Sequence, residues 1–326
     1  MKYVKAVGLL TLALLILLGY RIDRIDPEIS ETTGDAAETT ELASALPVTP
    51  QTLGDWHLPL GPLAAYEPPR KMRPRIYAEA ACVVDCQTRS VLYGRRETEA
   101  RPIASIVKLL TTLVFLESGG DLDAEIEISP EDAEGAGKSV LWKGHRFKAQ
   151  DVLYTALLSS DNRAARALAR STPYSPAQFI ERMNDRARAI GCRSLIVVEP
   201  TGLSELNVAS PLDVARLLTA ALSNPTIGKV CRTYRHQFAQ LNGRKNYRIV
   251  NSNRLLLSQY KELGGKTGYI VEAGWCVANM IDTPDGPLAV VILGASTSSS
   301  RFSQARKLTV WALKYRHKSD AFVLTP

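Results

Sequence analysis

Histidine is scarce and scattered. The 326-residue chain carries four, His57, His145, His236 and His317. None forms an H-E-x-x-H pair that would present two zinc ligands on one helix face. No G-x-S-x-G stands where a Ser-His-Asp hydrolase carries its nucleophile. These absences argue against zinc chemistry and a histidine-based triad, and each histidine is expected at the surface or in a satisfied structural contact. A phosphate loop is missing too. Gly135-Ala136-Gly137-Lys138-Ser139 imitates the end of one, but the glycine required five residues before Gly137 is Asp132. The five cysteines, Cys82, Cys86, Cys192, Cys231 and Cys276, contain no C-x-x-C pair, and an odd number leaves at least one unpaired. Cys82 and Cys86 fall on one expected strand, about 13 Å apart and too far to bridge. Cys192 and Cys231 could pair, although buried free thiols are the default expectation. There is no internal repeat.

What is present suffices for a folded domain. Hydrophobic residues make up 45% of the chain and charged ones 22%, enough for one substantial core or two small ones. Charge is unevenly placed. Residues 1–57 hold four basic and eight acidic side chains, leaving 36 basic and 25 acidic side chains beyond them. A basic domain is drawn to polyanions, whether nucleic acid, anionic lipid or acidic wall polymer, but the same excess also serves solubility.

The N-terminus speaks to compartment. Lys2 and Lys5 precede an apolar run from Ala6 to Tyr20, which reads as an export signal or signal-anchor over residues 1–25. No small-x-small cleavage site follows closely, so an uncleaved anchor at 6–20 in the inner membrane is expected, with the remainder in the periplasm. Export conflicts with a nucleic-acid partner. Residues 26–56 are rich in Glu, Asp, Thr, Ala and Ser without Lys or Arg, and 57–75 are proline-rich. Together 26–75 read as a tether. The domain is expected over 76–318, with a tail at 319–326.

Within it, Ala80–Asp85 and Ser90–Tyr93 read as a hairpin. Ser105–Leu116 is apolar nearly all round, a helix for the centre of a domain, ended by Gly119-Gly120. Further helices are expected over Asp151–Leu158, capped by Asp151, and over Arg163–Arg170, Pro176–Ile190 and Pro211–Leu222. Gly265–Ile270, Trp275–Ile281 and Pro287–Gly294 form an antiparallel meander before a closing helix at Arg301–Tyr315. Strands at both ends with helices between predict an α+β domain, an antiparallel sheet packed against helices with a helical subdomain.

Three short motifs carry the chemistry: Ser105-Ile106-Val107-Lys108, Ser160-Asp161-Asn162 and Lys266-Thr267-Gly268. Alone, S-x-x-K is expected about once by chance in this length, and Ser258-Gln259-Tyr260-Lys261 is such a decoy. K-T-G is expected on the order of 0.1 times, and the ordered trio is far rarer. Residues three apart share a helix face, so Lys108 can reach Ser105. A serine hydroxyl needs a base, and Lys108 serves only if neutral, its pKa pulled down by burial and a cation such as Lys266. The helix N-terminus favours a developing oxyanion at Ser105. Ser160 is a candidate proton shuttle to the leaving amine. Asn162 can bond substrate and Lys108, and Asp161 caps the following helix. Lys266 and Thr267 offer a cation and a hydroxyl to a carboxylate, and Gly268 lets a substrate backbone approach the strand. The amides of Ser105 and Tyr269 are the candidate oxyanion hole.

With this trio the chain resembles the low-molecular-mass penicillin-binding proteins of the D-alanyl-D-alanine peptidase family, from about Ile76 to Tyr315. LLSSDNRAARALA (Leu157–Ala169), VEPTGLS (Val198–Ser204) and the K-T-G-Y segment followed by AGWCVANM (Ala273–Met280) carry the resemblance. Within the family the chain is most similar to the periplasmic endopeptidase branch. The resemblance implies a penicillin-binding-protein/β-lactamase-like fold, Ser105 as nucleophile, Lys108 as base, no cofactor or metal, peptidoglycan peptides cross-linked through D-Ala–diaminopimelate as substrate, and acylation by β-lactams. A D,D-carboxypeptidase is the alternative. A β-lactamase would need a glutamate-held water that the sequence does not identify. A non-catalytic wall-binding relative would have no need of Lys108.

Overall fold

The computed structural model describes residues 73–316. The expected export segment, the tether up to residue 72 and the tail lie outside the described residues. Among those described, no helix is long and apolar enough to cross a membrane.

The described chain opens with the expected hairpin, β1 (Ala80–Asp85) and β2 (Val91–Arg95), then a short β3 (Arg101–Pro102). A 3-10 turn at Ala104–Val107 runs directly into α1 (Lys108–Glu117). Then come β4 (Glu125–Glu127), α2 (Pro130–Ala133), β5 (Arg146–Lys148), α3 (Ala149–Leu158), α4 (Asn162–Arg170) and α5 (Pro176–Ala189). After β6 (Val208–Ala209) follow α6 (Pro211–Ser223), α7 (Pro225–Arg232), β7 (Arg235–Ala239) and β8 (Asn246–Val250). The chain returns to the main sheet with β9 (Lys261–Ile270), β10 (Gly274–Asp282) and β11 (Leu288–Ala295), and closes with α8 (Ser298–Tyr315).

The main sheet has the order β2-β1-β11-β10-β9, antiparallel throughout. The first and last strands of the domain are therefore neighbours at its centre, which makes the fold the expected α+β arrangement. The two-residue period of a strand divides its side chains between two cores. Ala80, Cys82 and Val84 of β1 join a core shared with α1, α3, α4 and α6, whereas Ala81 and Val83 join one shared with α8. β11 divides likewise, with Ala289, Val291 and Leu293 on the first face and Leu288, Val290 and Ile292 on the second. On the α8 side, Tyr93 meets Trp311 edge to face, with centroids 5.7 Å apart. The uniform apolarity of β1 reflects cover on both faces.

α1 lies in the middle of the first core, as its all-round apolarity predicts: Leu109, Leu110, Leu113, Val114 and Phe115 are all buried. Each such side chain contributes about 1.5–3 kcal/mol relative to an exposed one. That burial anchors the helix that Lys108 opens, and the 3-10 turn leading into it lies against Gly268 of β9.

Several boundaries differ from the sequence reading. α3 begins at Ala149 with Lys148 at its cap. Asp151 therefore sits inside the first turn, and its carboxylate bonds His236 Nε2 at 2.7 Å instead of capping. β9 begins at Lys261, four residues before Gly265, so the decoy Ser258…Lys261 straddles a turn and a strand end, with Ser258 Oγ spent on Glu262. The short α2 and α7 and the β7–β8 hairpin have no counterpart in the elements expected from sequence. All five cysteines are buried free thiols, Cys192 and Cys231 included.

Candidate active site

Ser105 lies in the 3-10 turn, one residue before Ile106, and Lys108 opens α1. The turn is set by an uncommon backbone: Ala104 has φ +48 although it is not glycine. Lys108 is fully buried. Its Nζ lies 2.9 Å from Ser105 Oγ, 2.7 Å from Asn162 Oδ1 and 2.5 Å from the Thr201 carbonyl. Three acceptors match the three protons of an ammonium. When the amine is neutral it keeps two protons for Asn162 and Thr201, and its lone pair then faces the Ser105 hydroxyl.

Burial is the main force on Lys108 and holds its pKa down to about 7. Glu199 and Asp161 pull it back up, and Arg166 pushes it further down. Lys266 and Lys108 repel each other, as expected of two neighbouring amines. Lys266 is buried, and desolvation followed by the charge of Lys108 holds its pKa well below the ordinary lysine value.

The second motif comes from the junction of α3 and α4. Asp161 is the N-cap of α4, accepting from Ala164 N at 3.1 Å. Ser160 takes the left-handed conformation, φ +62, between the two helices, and its hydroxyl accepts from Lys266 Nζ at 2.8 Å. Asn162 reaches Lys108 with its oxygen and donates from Nδ2 to the Ala136 carbonyl at 2.9 Å. The segment that imitates a phosphate loop thus supports Asn162.

The third motif lies on β9, the edge of the main sheet. Lys266 also donates to the Thr267 carbonyl at 2.9 Å, and Thr267 Oγ1 is 2.7 Å from Ser252 Oγ. Gly268 passes so close to the nucleophile turn that a Cβ there would stand 2.9 Å from the Ile103 carbonyl and 3.1 Å from Ser105 N. A side chain has no room between strand and turn. Tyr269 is half-exposed and stacks on Trp275 with centroids 4.0 Å apart. Behind the strand the buried Arg301 guanidinium donates to the Gly268 carbonyl at 3.1 Å and the Cys276 carbonyl at 3.2 Å, and lies over the Trp275 ring.

The structure therefore brings Ser105, Lys108, Ser160 and Asn162 together with Lys266, Thr267 and Gly268, and Tyr269 follows at the strand's exposed end. Two participants were not given roles from sequence. The Thr201 carbonyl accepts from Lys108 and, at 3.4 Å, from Ser105 Oγ. Glu199 folds the turn that presents it. Both lie in V-E-P-T-G-L-S, whose glutamate and glycine were the available signal. His145 and His236 sit away from this cluster in an aromatic stack with Phe147, Tyr154, Phe238 and Tyr247. Among the described residues no group of three or more His, Cys, Asp or Glu could hold a metal ion.

The chain is similar to known proteins. The model of a peptidase family, S11, described as D-alanyl-D-alanine carboxypeptidase, matches residues 67–297. The D-alanyl-D-alanine endopeptidase of Escherichia coli is 32% identical over 242 residues, 73% of this chain and 78% of that one. The D-alanyl-D-alanine endopeptidase of Pseudomonas aeruginosa is 33% identical over 260 residues, 76% of this chain and 82% of that one. Among solved structures, a mutant of the Streptomyces K15 DD-transpeptidase is 25% identical, with a TM-score of 0.70 over 74% of this chain and all of the other.

Proposed function

The chain belongs to the D-alanyl-D-alanine carboxypeptidase family of serine peptidases, and on that premise we propose that it is the endopeptidase type, cutting D-Ala–diaminopimelate cross-links in peptidoglycan through an acyl-enzyme on Ser105. The observation that carries the residue assignment is the placement of Lys108 Nζ, 2.9 Å from Ser105 Oγ, with a pKa held near 7 by burial. A general base works best when its pKa lies near the working pH.

Neutral Lys108 takes the proton of Ser105 Oγ as the oxygen attacks the D-Ala carbonyl. The Ser105 and Tyr269 amides are the proposed donors to the oxyanion. β9 is the sheet edge, so alternate amides on it are free of the ladder. The C–N bond breaks as the proton taken up by Lys108 is passed on through the Ser160 hydroxyl, which Lys266 supports, to the leaving amine, so that Ser160 ends the step as a hydroxyl and Lys108 as the neutral amine. Water then attacks the ester, giving a proton to neutral Lys108, which returns it to the departing Ser105 oxygen. Lys266 and Thr267 provide a cation and a hydroxyl for the substrate carboxylate, and Asn162 offers its second amide proton to a substrate carbonyl.

The two endopeptidases of more than 30% identity, each matched over about four-fifths of its length, support the endopeptidase type. The family description favours the carboxypeptidase as the second reading. We assign the reaction to a domain over 76–318 in the periplasm, held near the inner membrane by residues 6–20, and expect β-lactams to acylate the same serine. The test is to incubate the full chain with purified cross-linked muropeptide dimers and with pentapeptide monomers, reading products by mass. Conversion of dimers to monomers is expected. Loss of one alanine from pentapeptides with dimers intact would move the assignment to the carboxypeptidase.

A further inference from the structure

We infer that Glu199 is a positioning residue for acylation: its carboxylate folds the turn that aims the Thr201 carbonyl at Lys108 and clamps that turn to the one bearing Ser105. This rests on the reading of Ser105 and Lys108 as nucleophile and base.

One carboxylate receives five donors. Oε2 accepts from Thr201 N at 2.7 Å and Thr201 Oγ1 at 2.6 Å. Oε1 accepts from Gly202 N at 2.5 Å, Ser204 N at 3.3 Å and Asn207 Nδ2 at 2.7 Å. An ionised carboxylate has about four lone-pair sites and no proton, so this acceptor-only demand suits it and nothing else of its length. The donors are mostly backbone amides of a single turn, which means that the side chain is the template on which residues 199–204 fold.

That turn touches the reacting groups in three ways. Thr201, held from both its amide and its hydroxyl, offers its carbonyl to Lys108 Nζ and Ser105 Oγ. Gly202, at φ +84, is so close to the nucleophile turn that a Cβ would lie 2.1 Å from the Ala104 carbonyl oxygen and 2.6 Å from Ser105 N. Asn207, fully buried, holds Glu199 through its side chain and accepts from Ile103 N at 3.0 Å with its carbonyl. Ile103 is the cap of the Ser105 turn. The uncommon backbone of Ala104 is thus held between Asn207 on one side and Gly202 on the other.

The charge has a second consequence. The charged groups facing Lys108 are Glu199, Asp161, Arg166 and Lys266. Glu199 exerts the largest charge effect on it, upward, against burial. Removing this charge frees Lys108 of its proton at lower pH, whereas shortening the side chain keeps the charge and spoils the fit.

The test measures the acylation rate constant of the full chain with a fluorescent penicillin across pH, for wild type, Glu199→Gln and Glu199→Asp, each checked for cooperative unfolding. Wild type is expected to show an acid limb near the Lys108 pKa. Glu199→Gln is expected to reach a plateau at least tenfold lower with its limb moved to lower pH. Glu199→Asp is expected to lose at least tenfold with its limb in place, and it carries the test if the glutamine variant does not fold. A folded variant with wild-type rate and limb overturns the inference. So does a slowed Glu199→Gln whose limb stays put, since a merely loosened turn would lower the plateau alone. A wild-type chain that is never acylated, or has no acid limb, fails the underlying Ser105–Lys108 reading before any variant is compared.

Discussion

Lys266 Nζ donates to Ser160 Oγ at 2.8 Å, joining β9 to the α3–α4 junction across 106 positions of sequence. The bond gives the Ser160 hydroxyl an N–H donor and leaves its own proton free to be passed on. Ser160 also carries a left-handed backbone, φ +62, that costs a non-glycine residue roughly 1–2 kcal/mol. Ser160→Gly relieves that strain but takes an acceptor from buried Lys266, a loss of about 1–3 kcal/mol, so stability is expected to stay near wild type while acylation slows on the order of 10²–10⁴-fold, the range for a lost acid–base group. Paired thermal unfolding and penicillin-labelling rates check both halves.

The burial of Lys108 gives a pH prediction with a definite sign. The neutral amine is the active form and its folded pKa is about 7, so acylation should rise through pH 7 and level off above it. Stability follows from the same shift. The unfolded lysine titrates at 10.5 and the folded one near 7, so the fold carries the full cost of the buried charge below pH 7 and is relieved of it as pH rises towards 10.5. Lys108→Met, which fills the site without a charge, is expected to be inactive yet more stable than wild type at pH 6, by a few kcal/mol. That advantage should shrink at pH 8.5. Urea midpoints at the two pH values measure it.

Much of this was legible in the sequence, and what was not has a physical reason. The all-round apolarity of Ser105–Leu116 marked a central helix, and three-residue spacing put Lys108 over Ser105. The doubly covered strands read as unbroken apolar runs. The Thr201 carbonyl was invisible because motifs are patterns of side chains and this acceptor is backbone. Glu199 looked like an ordinary acidic residue because its role depends on five donors that only the folded turn assembles. Strand β7 is mostly polar and exposed, with only Phe238 fully buried, so it lacked the apolar alternation that marks a strand. Asp151 reads as a cap in the sequence because its carboxylate precedes an apolar stretch, yet the helix starts two residues earlier and the carboxylate is taken by His236.

Gly202→Ala tests the close approach of the two turns. The new methyl group meets the Ala104 carbonyl at 2.1 Å and the backbone must leave φ +84. A loss of about 1–3 kcal/mol is expected from overpacking and strain, with acylation falling because Ser105 N moves as well. Calorimetry together with labelling rates reads this. Unchanged stability would mean that the turns are free to separate.

Asp85 and Arg316 form an ion pair at 2.7 Å in which both side chains are nearly buried. The pair ties the end of β1 to the end of α8. Asp85→Ala removes the carboxylate and leaves the Arg316 guanidinium only neutral acceptors, Thr283 and the Gly286 and Asp285 carbonyls, in this contact; a cost of about 3 kcal/mol is expected, with labelling at permissive temperature retained. A shift in melting temperature with little change in acylation rate is the expected result.

The measurement that bears most directly on the account is the mass and location of the penicillin adduct on the full chain, by intact mass followed by peptide mapping. One adduct is expected, on the peptide containing Ser105, absent in Ser105→Ala and unaffected in Ser258→Ala. An adduct on Ser258 or another residue, or a folded wild-type chain that takes up none, would contradict the assignment of Ser105 as the nucleophile.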